Sequence, residues 1–486
     1  MNMKKHLNVK KIAITMMAAA IVMTGFGGAS GGMQGPSVAY AASVPAQPGA
    51  MTKAVVTIDG KAVNWIGQPF VQNGTTMVPL REASVSLGGS IAWNQAVQTV
   101  TIRLNGDVIT QRSGDSFFLV NGVRFNISGP SRVVKGSLMV PLRGLMEAMK
   151  ASLQLSQTAG TTSITITTDK VTVIPKAFGE LDSYLKLNSY SGMALVAKDG
   201  KVLMRKGYGL AGEGKLNRPD MKTRIASITK SFTAASIMQL IEAGKLSLDD
   251  PISKLVSGIP SGDKITIHML LSHTSGLPSE FTRKDGTTIE QTVNEIRTKK
   301  LDFEPGTDYK YSNCGYVLLA YVVEKLSGMS YADYVQTNML QAAGMTHSGT
   351  ATAKTPTNDG YVLSKGAWVK APYYVSQSGT GTLYSTVDDL VKWDSLLHSG
   401  SLLSDSSLEA MYTPHSQKGY GYGWIVRETP EGKTVFHNGS GSGFSTGMSR
   451  NLENGVTVIL LGNHAGIDTA LMMEKLQTLA ASAIRV

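Results

Sequence analysis

The sequence predicts an α+β fold: a large domain with an antiparallel sheet flanked by helices plus a helical subdomain, preceded by a small repeated ββαβ-type domain. Strand-like segments lie at both ends of residues 171–486, and residues 225–410 between them are mainly helical in pattern. Strands separated by a helical middle indicate one domain whose sheet is completed by distant pieces. Residues 53–170 repeat internally. A chain of 486 residues with 42% hydrophobic and 17% charged residues suits a globular protein of two or three domains.

The first 41 residues have the order of a secretory signal peptide. Four early lysines precede an apolar run, Ile12–Phe26, and the small residues that follow end in Ala39-Tyr40-Ala41. Residues 42–52, rich in Ala, Pro and Gly, are interpreted as a linker. We therefore expect a secreted or cell-wall-associated protein, with retention of the apolar run as an anchor as the alternative. No other segment approaches ~18 consecutive apolar residues, so we expect no transmembrane span after signal cleavage.

Charge and cysteine content exclude several classes of function. Without residues 1–41 the net charge falls from +11 to +7, which is 42 basic minus 35 acidic residues. This excess is too weak and too scattered to indicate nucleic-acid binding, but it could help retention on an anionic cell wall. Cys314 is the one cysteine, so no intrachain disulfide can form. The eight histidines form no metal motif, and we expect neither a metal nor a cofactor.

Two copies of one pattern make up residues 53–170. The stretch Met77–Arg81 (MVPLR) recurs as Met139–Arg143, and Ile58-Asp59-Gly60 recurs as Val120-Asn121-Gly122, each at an offset of 62 positions. Each copy opens with short strands around a turn, continues into a helix and closes on a strand. The helices are predicted at Arg81–Leu87 and Arg143–Met149, and the closing strands at Thr99–Arg103 and Ser163–Thr167. Paired units of this kind are expected to bury a shared core.

This repeat resembles the copper amine oxidase N-terminal-like, or stalk, domain found on many exported bacterial proteins. The segment contains no His or Cys, so it lacks a metal-ligand cluster. We interpret it as a spacer, or as a module that binds a cell-wall polymer.

The pattern changes after residue 171. A helix is predicted at Pro175–Leu187, and two apolar strands, Met193–Lys198 and Lys201–Arg205, are joined by Asp199-Gly200, a strong hairpin signal. Beyond the helical middle come four strand-like segments and a last helix: Gly421–Arg427, Lys433–His437, Gly443–Ser449, Val456–Leu461 and Ile467–Ile484.

The first candidate catalytic motif is Ser227-Ile228-Thr229-Lys230 at the start of a predicted helix. Lys230 lies one turn after Ser227 on the same helix face. A serine hydroxyl is a poor nucleophile without a neighbouring base, and a lysine amine can be that base if burial and nearby positive charge lower its pKa. Two further Ser-x-x-Lys matches, which begin at Ser183 and Ser261, lie in polar or turn-like settings and are interpreted as chance.

The second motif is Tyr311-Ser312-Asn313, followed by an apolar helix. A phenol could accept or relay the serine proton, and the Asn313 amide could bind a substrate carbonyl. The alternative is a core tyrosine next to a helix-capping Ser or Asn.

The third motif is His437-Asn438-Gly439 with the Gly-rich stretch Ser440–Gly443, placed at the end of a strand. Glycines let a substrate lie along a strand edge, and a backbone N–H can face a developing oxyanion. His398 and His464 also begin H-x-G matches, but only His437 has a strand before it and a Gly-rich turn, predicted at Ser440–Gly443, after it.

In this order the three motifs resemble those of the class C β-lactamase, penicillin-binding protein and D-Ala-D-Ala carboxypeptidase–esterase superfamily. Four stretches match the family's usual phrasing: Gly244–Pro251 (GKLSLDDP), Ile265–Pro278 (ITIHMLLSHTSGLP), Glu304–Gly315 (EPGTDYKYSNCG) and Tyr420–Trp424 (YGYGW). The resemblance covers about 175–486 and implies a β-lactamase/transpeptidase-like fold. Within the second stretch, His273 and Ser275 are interpreted as structural turn residues.

The resemblance also implies a mechanism. Ser227 attacks a carbonyl while Lys230 and Tyr311 take its proton, and Tyr311 helps to activate the deacylating water. The oxyanion lies between the backbone N–H groups of Ser227 and Ser440. Substrate contacts are expected from Asn313 and Gly439.

One departure concerns the third motif. The strict penicillin-recognising pattern has a lysine where this chain has His437, and a histidine is mostly neutral near pH 7. Recognition of a substrate carboxylate is therefore in doubt. Esterases and D-amino-acid peptidases of the superfamily often carry His at this position.

We therefore expect a secreted serine hydrolase that works through an acyl-enzyme on amide or ester bonds of cell-wall-type peptides, D-amino-acid peptides or small esters. A true β-lactamase or D-Ala-D-Ala carboxypeptidase, with a β-lactam or small peptide as its substrate, is the first alternative. A wall-binding or sensor protein without turnover is the second. A further G-x-S-x-G match, Gly443–Gly447, leads into a turn and a strand, which is not the strand-to-helix setting of an α/β-hydrolase nucleophile.

Overall fold

In the computed structural model, which describes residues 49–50, 54–158, 161–375 and 378–485, the repeated segment is mostly strand. Its elements are β1 (Gly49–Ala50), β2 (Ala54–Ile58), β3 (Lys61–Val63), β4 (Phe70–Gln72), β5 (Thr75–Pro79), α1 (Leu80–Ser86), β6 (Ser90–Asn94), β7 (Thr99–Leu104), β8 (Asp107–Arg112), β9 (Phe117–Val120), β10 (Val123–Asn126), β11 (Arg132–Val134), β12 (Ser137–Pro141), α2 (Leu142–Ala148), β13 (Ser152–Thr158) and β14 (Thr161–Thr167). The predicted signal peptide, residues 1–41, and all of the 42–52 linker except Gly49 and Ala50 lie outside the described residues.

The two copies are joined strand to strand. Their equivalent strands β5 and β12 pair antiparallel with Val78 opposite Val140, and both valines are fully buried. The closing strand of the second copy, β14, pairs in parallel with β2 of the first. The helices α1 and α2 begin one residue before the predicted bounds. The expectation of a shared core is confirmed, since residues of both copies belong to one apolar cluster.

Helices and a six-stranded sheet make up the larger part. Its elements are α3 (Gly179–Leu187), β15 (Gly192–Lys198), β16 (Lys201–Tyr208), β17 (Leu210–Gly212), β18 (Lys215–Leu216), β19 (Thr223–Arg224), α4 (Thr229–Glu242), α5 (Ile267–Leu271), α6 (Ile289–Ile296), α7 (Asn313–Ser327), α8 (Tyr331–Val335), β20 (Gly349–Thr350), β21 (Tyr361–Ser364), β22 (Ala367–Lys370), β23 (Leu383–Ser385), α9 (Val387–Leu397), α10 (Asp405–Met411), β24 (Ile425–Thr429), β25 (Gly432–Gly441), β26 (Phe444–Asn451), β27 (Val456–Gly462) and α11 (Thr469–Arg485).

The antiparallel sheet has the order β16-β15-β27-β26-β25-β24. β15 pairs with β27 and so joins the first two strands of this part to the last four, as the sequence predicts. Side chains alternate between its faces. On β15, Leu195 belongs to the core formed with the helical middle, whereas Val196 belongs to the core formed with α3 and α11.

Two sequence-based expectations need correction. The middle, 225–410, also contains strands, because β23 pairs with β19 and β20, and β21 forms a hairpin with β22. The stretch Ser440–Gly441, predicted as a turn, continues β25, and the chain turns only at Ser442-Gly443. Glycine-rich sequence favours turns, but pairing with β26 keeps this segment extended.

Buried charges join the two parts. Lys206 of β16 is fully buried, and its Nζ lies 2.7 Å from Asp107 Oδ1 of β8 and 3.1 Å from Asp182 Oδ1 of α3. Lys150, just after α2, places its Nζ 2.8 Å from Asp107 Oδ2. Burial by itself would raise the pKa of Asp107, but the two ammonium groups outweigh it and hold this pKa below its usual range.

None of the helices in the described part of the chain is long and apolar enough to cross a membrane.

Candidate active site

Ser227 lies on a 3-10 turn, Ala226–Ile228, immediately before α4. Two neighbouring strands hold this turn through Ile225. The carbonyl of Ile225 accepts a hydrogen bond from Thr446 Oγ1 of β26 at 2.9 Å, and the N–H of Ile225 donates to the Leu383 carbonyl of β23. Ala226 has a left-handed φ of 47°, which is unusual for a residue with a Cβ. Ser227 therefore lies on a strained turn that tertiary contacts hold in place.

Lys230 is fully buried behind Ser227. Its Nζ lies 3.3 Å from Ser227 Oγ, 2.9 Å from Asn313 Oδ1 and 3.0 Å from the Thr380 carbonyl oxygen. None of these partners is a carboxylate. Burial, and then the positive charge of Arg283, holds the pKa of Lys230 well below its usual value. The uncharged amine that a general base requires is therefore favoured.

The second motif brings a phenol and an amide to the same place. Tyr311 is half-buried, and Lys230 Nζ lies 4.9 Å from its ring centroid. Burial raises the pKa of Tyr311, and the neighbouring Ser227 hydroxyl partly opposes that shift. Asn313 is oriented from both ends, since its Oδ1 faces Lys230 and its Nδ2 donates to Ser279 Oγ at 2.9 Å.

The capping interpretation of this motif is correct as well. The Ser312 side chain accepts from the Gly315 N–H and caps α7. The helix start thus fixes the direction in which its two neighbours, Tyr311 and Asn313, project.

His437 is held by protein groups on both ring nitrogens. Nδ1 lies 2.7 Å from the Asn438 carbonyl and Nε2 lies 2.9 Å from the Tyr420 hydroxyl. A carbonyl can only accept, so Nδ1 carries the proton and Tyr420 donates to Nε2. Burial, and then Lys230, lowers the pKa of His437 to about 3. The third motif therefore places no cation at this position.

Gly439 has a different position from the one expected. A Cβ on this residue would lie 2.5 Å from Thr446 Oγ1 and 2.7 Å from the Ile225 carbonyl oxygen. The glycine lets β25 approach the turn that carries Ser227, and it is not among the residues that line the cavity. The glycine therefore has a packing role, and its contact with substrate stays a prediction.

An open strand edge lies next to Ser227. β24 pairs with β25 only up to Ile425 opposite Phe436, so from His437 to Gly441 the strand has no partner on that side among the described residues. Ser440 lies in this stretch and lines the cavity. Unpaired strand edges offer N–H and C=O groups to a bound chain.

These groups converge on a cavity of about 500 Å³. Five of the residues predicted from the sequence line it: Ser227, Tyr311, Asn313, His437 and Ser440. Further residues that line the cavity could not be singled out in the sequence, because they lie on loops or flank the motifs. They are Arg224, Glu280, Arg283, Tyr373, Tyr374, Thr380 and Thr382. The described part of the chain holds no cluster of side chains suited to a metal ion. A serine hydroxyl next to a buried lysine amine, with an open strand edge at the same cavity, is an arrangement that acyl transfer requires.

Comparison with known proteins gives two family matches. Residues 181–482 match the Beta-lactamase family, and residues 57–164 match the Copper amine oxidase N-terminal domain. The second segment contains no His or Cys, so its side chains do not fit a copper ion.

Individual relatives agree with the larger match. The chain is 34% identical over 256 residues to the putative penicillin-binding protein PbpX of Bacillus subtilis, a match over 51% of this chain but only 65% of that protein. A penicillin-binding protein structure from Bacillus halodurans has 28% identity and a TM-score of 0.57, covering 62% of this chain and 98% of that one. A D-stereospecific amidohydrolase from a Streptomyces species has 27% identity and a TM-score of 0.50, covering 58% and 92%.

These findings confirm the predicted α+β, β-lactamase/transpeptidase-like fold and the stalk-like N-terminal domain. Because the larger family match spans more than half of the chain, the protein belongs to the β-lactamase family and is a serine hydrolase.

Proposed function

We propose that the protein forms an acyl-enzyme on Ser227 and hydrolyses amide or ester bonds in uncharged substrates. The arrangement around Lys230 carries this proposal. An uncharged amine has two N–H bonds and one lone pair. With its two hydrogens on Asn313 Oδ1 and the Thr380 carbonyl, the lone pair is left for the Ser227 hydroxyl.

The proton transfers follow from this geometry. As Ser227 Oγ bonds to the substrate carbonyl carbon, the proton of the serine hydroxyl passes to Lys230. The bond between that carbon and the leaving group then breaks, and the leaving group receives a proton through Tyr311. The raised pKa of Tyr311 keeps its phenol protonated near neutral pH, so it acts as a relay. In deacylation, water replaces the leaving group and the transfers run in reverse. The oxyanion is assigned to the backbone N–H groups of Ser227 and Ser440.

The preference for uncharged substrates rests on His437. Its imidazole is buried, neutral and already bonded at both nitrogens, so it cannot supply the charge that a lysine would offer to a carboxylate. The likeness to a D-stereospecific amidohydrolase supports D-amino-acid amides as one substrate class.

Cleavage of carboxylate-bearing substrates, as in a β-lactamase or D-Ala-D-Ala carboxypeptidase, is the second candidate. Two arginines favour it because they line the cavity. Arg224 stacks on Tyr373 with 3.4 Å between its Cζ and the ring centroid, and Arg283 is exposed at the rim. Rates with nitrocefin, D-Ala-D-Ala peptides, p-nitrophenyl esters and D-amino-acid amides separate the two candidates.

The basic, apolar and A-x-A order of residues 1–41 supports export, and we propose that the protein acts outside the membrane or on the cell wall. The N-terminal repeat is proposed to act as a spacer or to bind a wall polymer.

His437→Lys is expected to shift the substrate preference toward carboxylates by roughly tenfold, since a charge-assisted hydrogen bond contributes about 1.5–3 kcal/mol and a neutral one about 1. The measurement is the ratio of kcat/KM for a carboxylate-bearing peptide to that for its amide. His437→Gln is the uncharged control and should not produce the shift. Efficient β-lactam hydrolysis by the wild type, with no activity on neutral esters or amides, would contradict the proposal.

Arg283→Gln is expected to move the acidic limb of the kcat/KM profile to higher pH. Lys230 acts as a base only when deprotonated, so activity rises with pH through its pKa. Arg283 lowers that pKa, and its removal therefore raises it and reduces activity on the acidic side. Lys284→Gln removes the same charge from an adjacent exposed position and is the matched control. Equal profiles for wild type and Arg283→Gln at low salt would show that Arg283 does not act on Lys230.

A further inference from the structure

His273 lies directly behind the second motif and does not line the cavity. It follows α5 in a buried turn, is fully buried, and has a left-handed φ of 61°. Its carbonyl accepts from the Lys310 N–H at 3.0 Å, and its Nδ1 accepts from the Ser312 N–H at 3.1 Å. One residue thus holds the backbone on both sides of Tyr311.

The imidazole also packs against Tyr311 itself. Its ring centroid lies 4.3 Å from that of Tyr311, 5.0 Å from that of Tyr316 and 4.4 Å from that of Tyr420. These three tyrosines form a cage around His273, and Tyr420 connects the cage to His437 through its hydroxyl.

The hydrogen bonds determine the tautomer. Because Nδ1 accepts a backbone N–H, it carries the lone pair and the proton is on Nε2. Burial is the main reason that the pKa of His273 lies well below its usual value, and the neighbouring Lys230 and His437 lower it further, so the ring stays neutral. Nε2 is buried without a hydrogen-bond partner among the described residues. Burying an N–H group without a hydrogen-bond partner costs free energy. An apolar ring would fill the same space without that cost, so the presence of histidine calls for an explanation.

We propose that His273 is a positioning residue that acts through Tyr311: its two acceptor groups and its ring hold the phenol beside Ser227. This inference rests on the proposed role of Tyr311 in proton transfer. Since His273 does not reach the cavity, its loss should lower kcat and leave KM nearly unchanged.

Two polar replacements test the proposal. In His273→Asn the side-chain oxygen can occupy the position of Nδ1, and asparagine tolerates a left-handed φ. In His273→Gln that position is a carbon atom. We expect Asn to retain kcat within about threefold and Gln to lose roughly 10- to 100-fold, because a small displacement of a reacting group costs up to about 100-fold. Circular dichroism and Tm establish that each variant is folded.

A double-mutant cycle distinguishes an effect of His273 through Tyr311 from a merely structural effect. If His273 acts through Tyr311, the effect of His273→Gln on kcat should largely disappear in a Tyr311→Phe background. Equal loss in the Asn and Gln variants, no loss in either, or an undiminished effect in the Phe background would overturn the proposal. Turnover retained by Ser227→Ala would instead refute the proposed function, so the two failures are distinguishable.

Discussion

Ser227→Ala is expected to lower kcat by roughly 10⁴-fold or more while the protein stays folded. Loss of a nucleophile removes the covalent route and leaves only binding and oxyanion stabilisation. The measurements are kcat with the best substrate of the panel and covalent labelling by a fluorophosphonate probe. Wild type should gain one label per chain, and the variant should gain none.

A second serine on the same helix is the matched control. Ser236 is buried in α4 and its Oγ donates to the Phe232 carbonyl at 2.8 Å. Ser236→Ala should keep both turnover and labelling. Turnover by Ser227→Ala close to that of wild type would remove Ser227 from the mechanism.

Lys206→Met is expected to lower the free energy of unfolding by about 1–3 kcal/mol, because Asp107 and Asp182 each lose a charge-assisted hydrogen bond but keep Lys150 and Lys186 as partners. Asp107 and Asp182 would each lose a partner in the protein interior. Urea unfolding near pH 7 measures the effect. The described residues that line the cavity all lie between 224 and 442, so kcat of the folded variant should not change.

Lys201→Met provides the comparison, since Lys201 is an exposed lysine on the same strand. The cluster also predicts a pH dependence. The folded-state pKa of Asp107 lies below its ordinary value of 3.8. Its stabilising contribution is therefore complete above that value and is lost as pH falls further. A loss of less than about 1 kcal/mol in Lys206→Met would show that the cluster does not hold the two parts together.

Local spacing was enough to predict that Ser227 and Lys230 lie together. Ser227 and Lys230 are three residues apart, and a helical turn brings such residues onto one face whatever surrounds them. The two copies of the N-terminal pattern could be recognised because the stretch Met77–Arg81 recurs as Met139–Arg143. The alternation along the strands could be recognised because its period is short.

The tertiary structure decided what those residues can do. The Thr380 carbonyl accepts a proton of Lys230 from 150 positions away, and Tyr420 completes the hydrogen bonding of His437. Gly439 was expected from the sequence to contact substrate, and only the structure shows that a side chain there would block the approach of β25 to the Ser227 turn.

The buried cluster between the two parts is the clearest case of information absent from the local pattern. In the sequence, Asp107 and Lys206 look like ordinary solvated charges, and only the meeting of β8 with β16 buries and pairs them. Short-range periodicity determines which elements form and which residues share a face. Burial, pKa and hydrogen-bond partners depend on contacts between residues far apart in the chain, so they were decided only when the elements packed together.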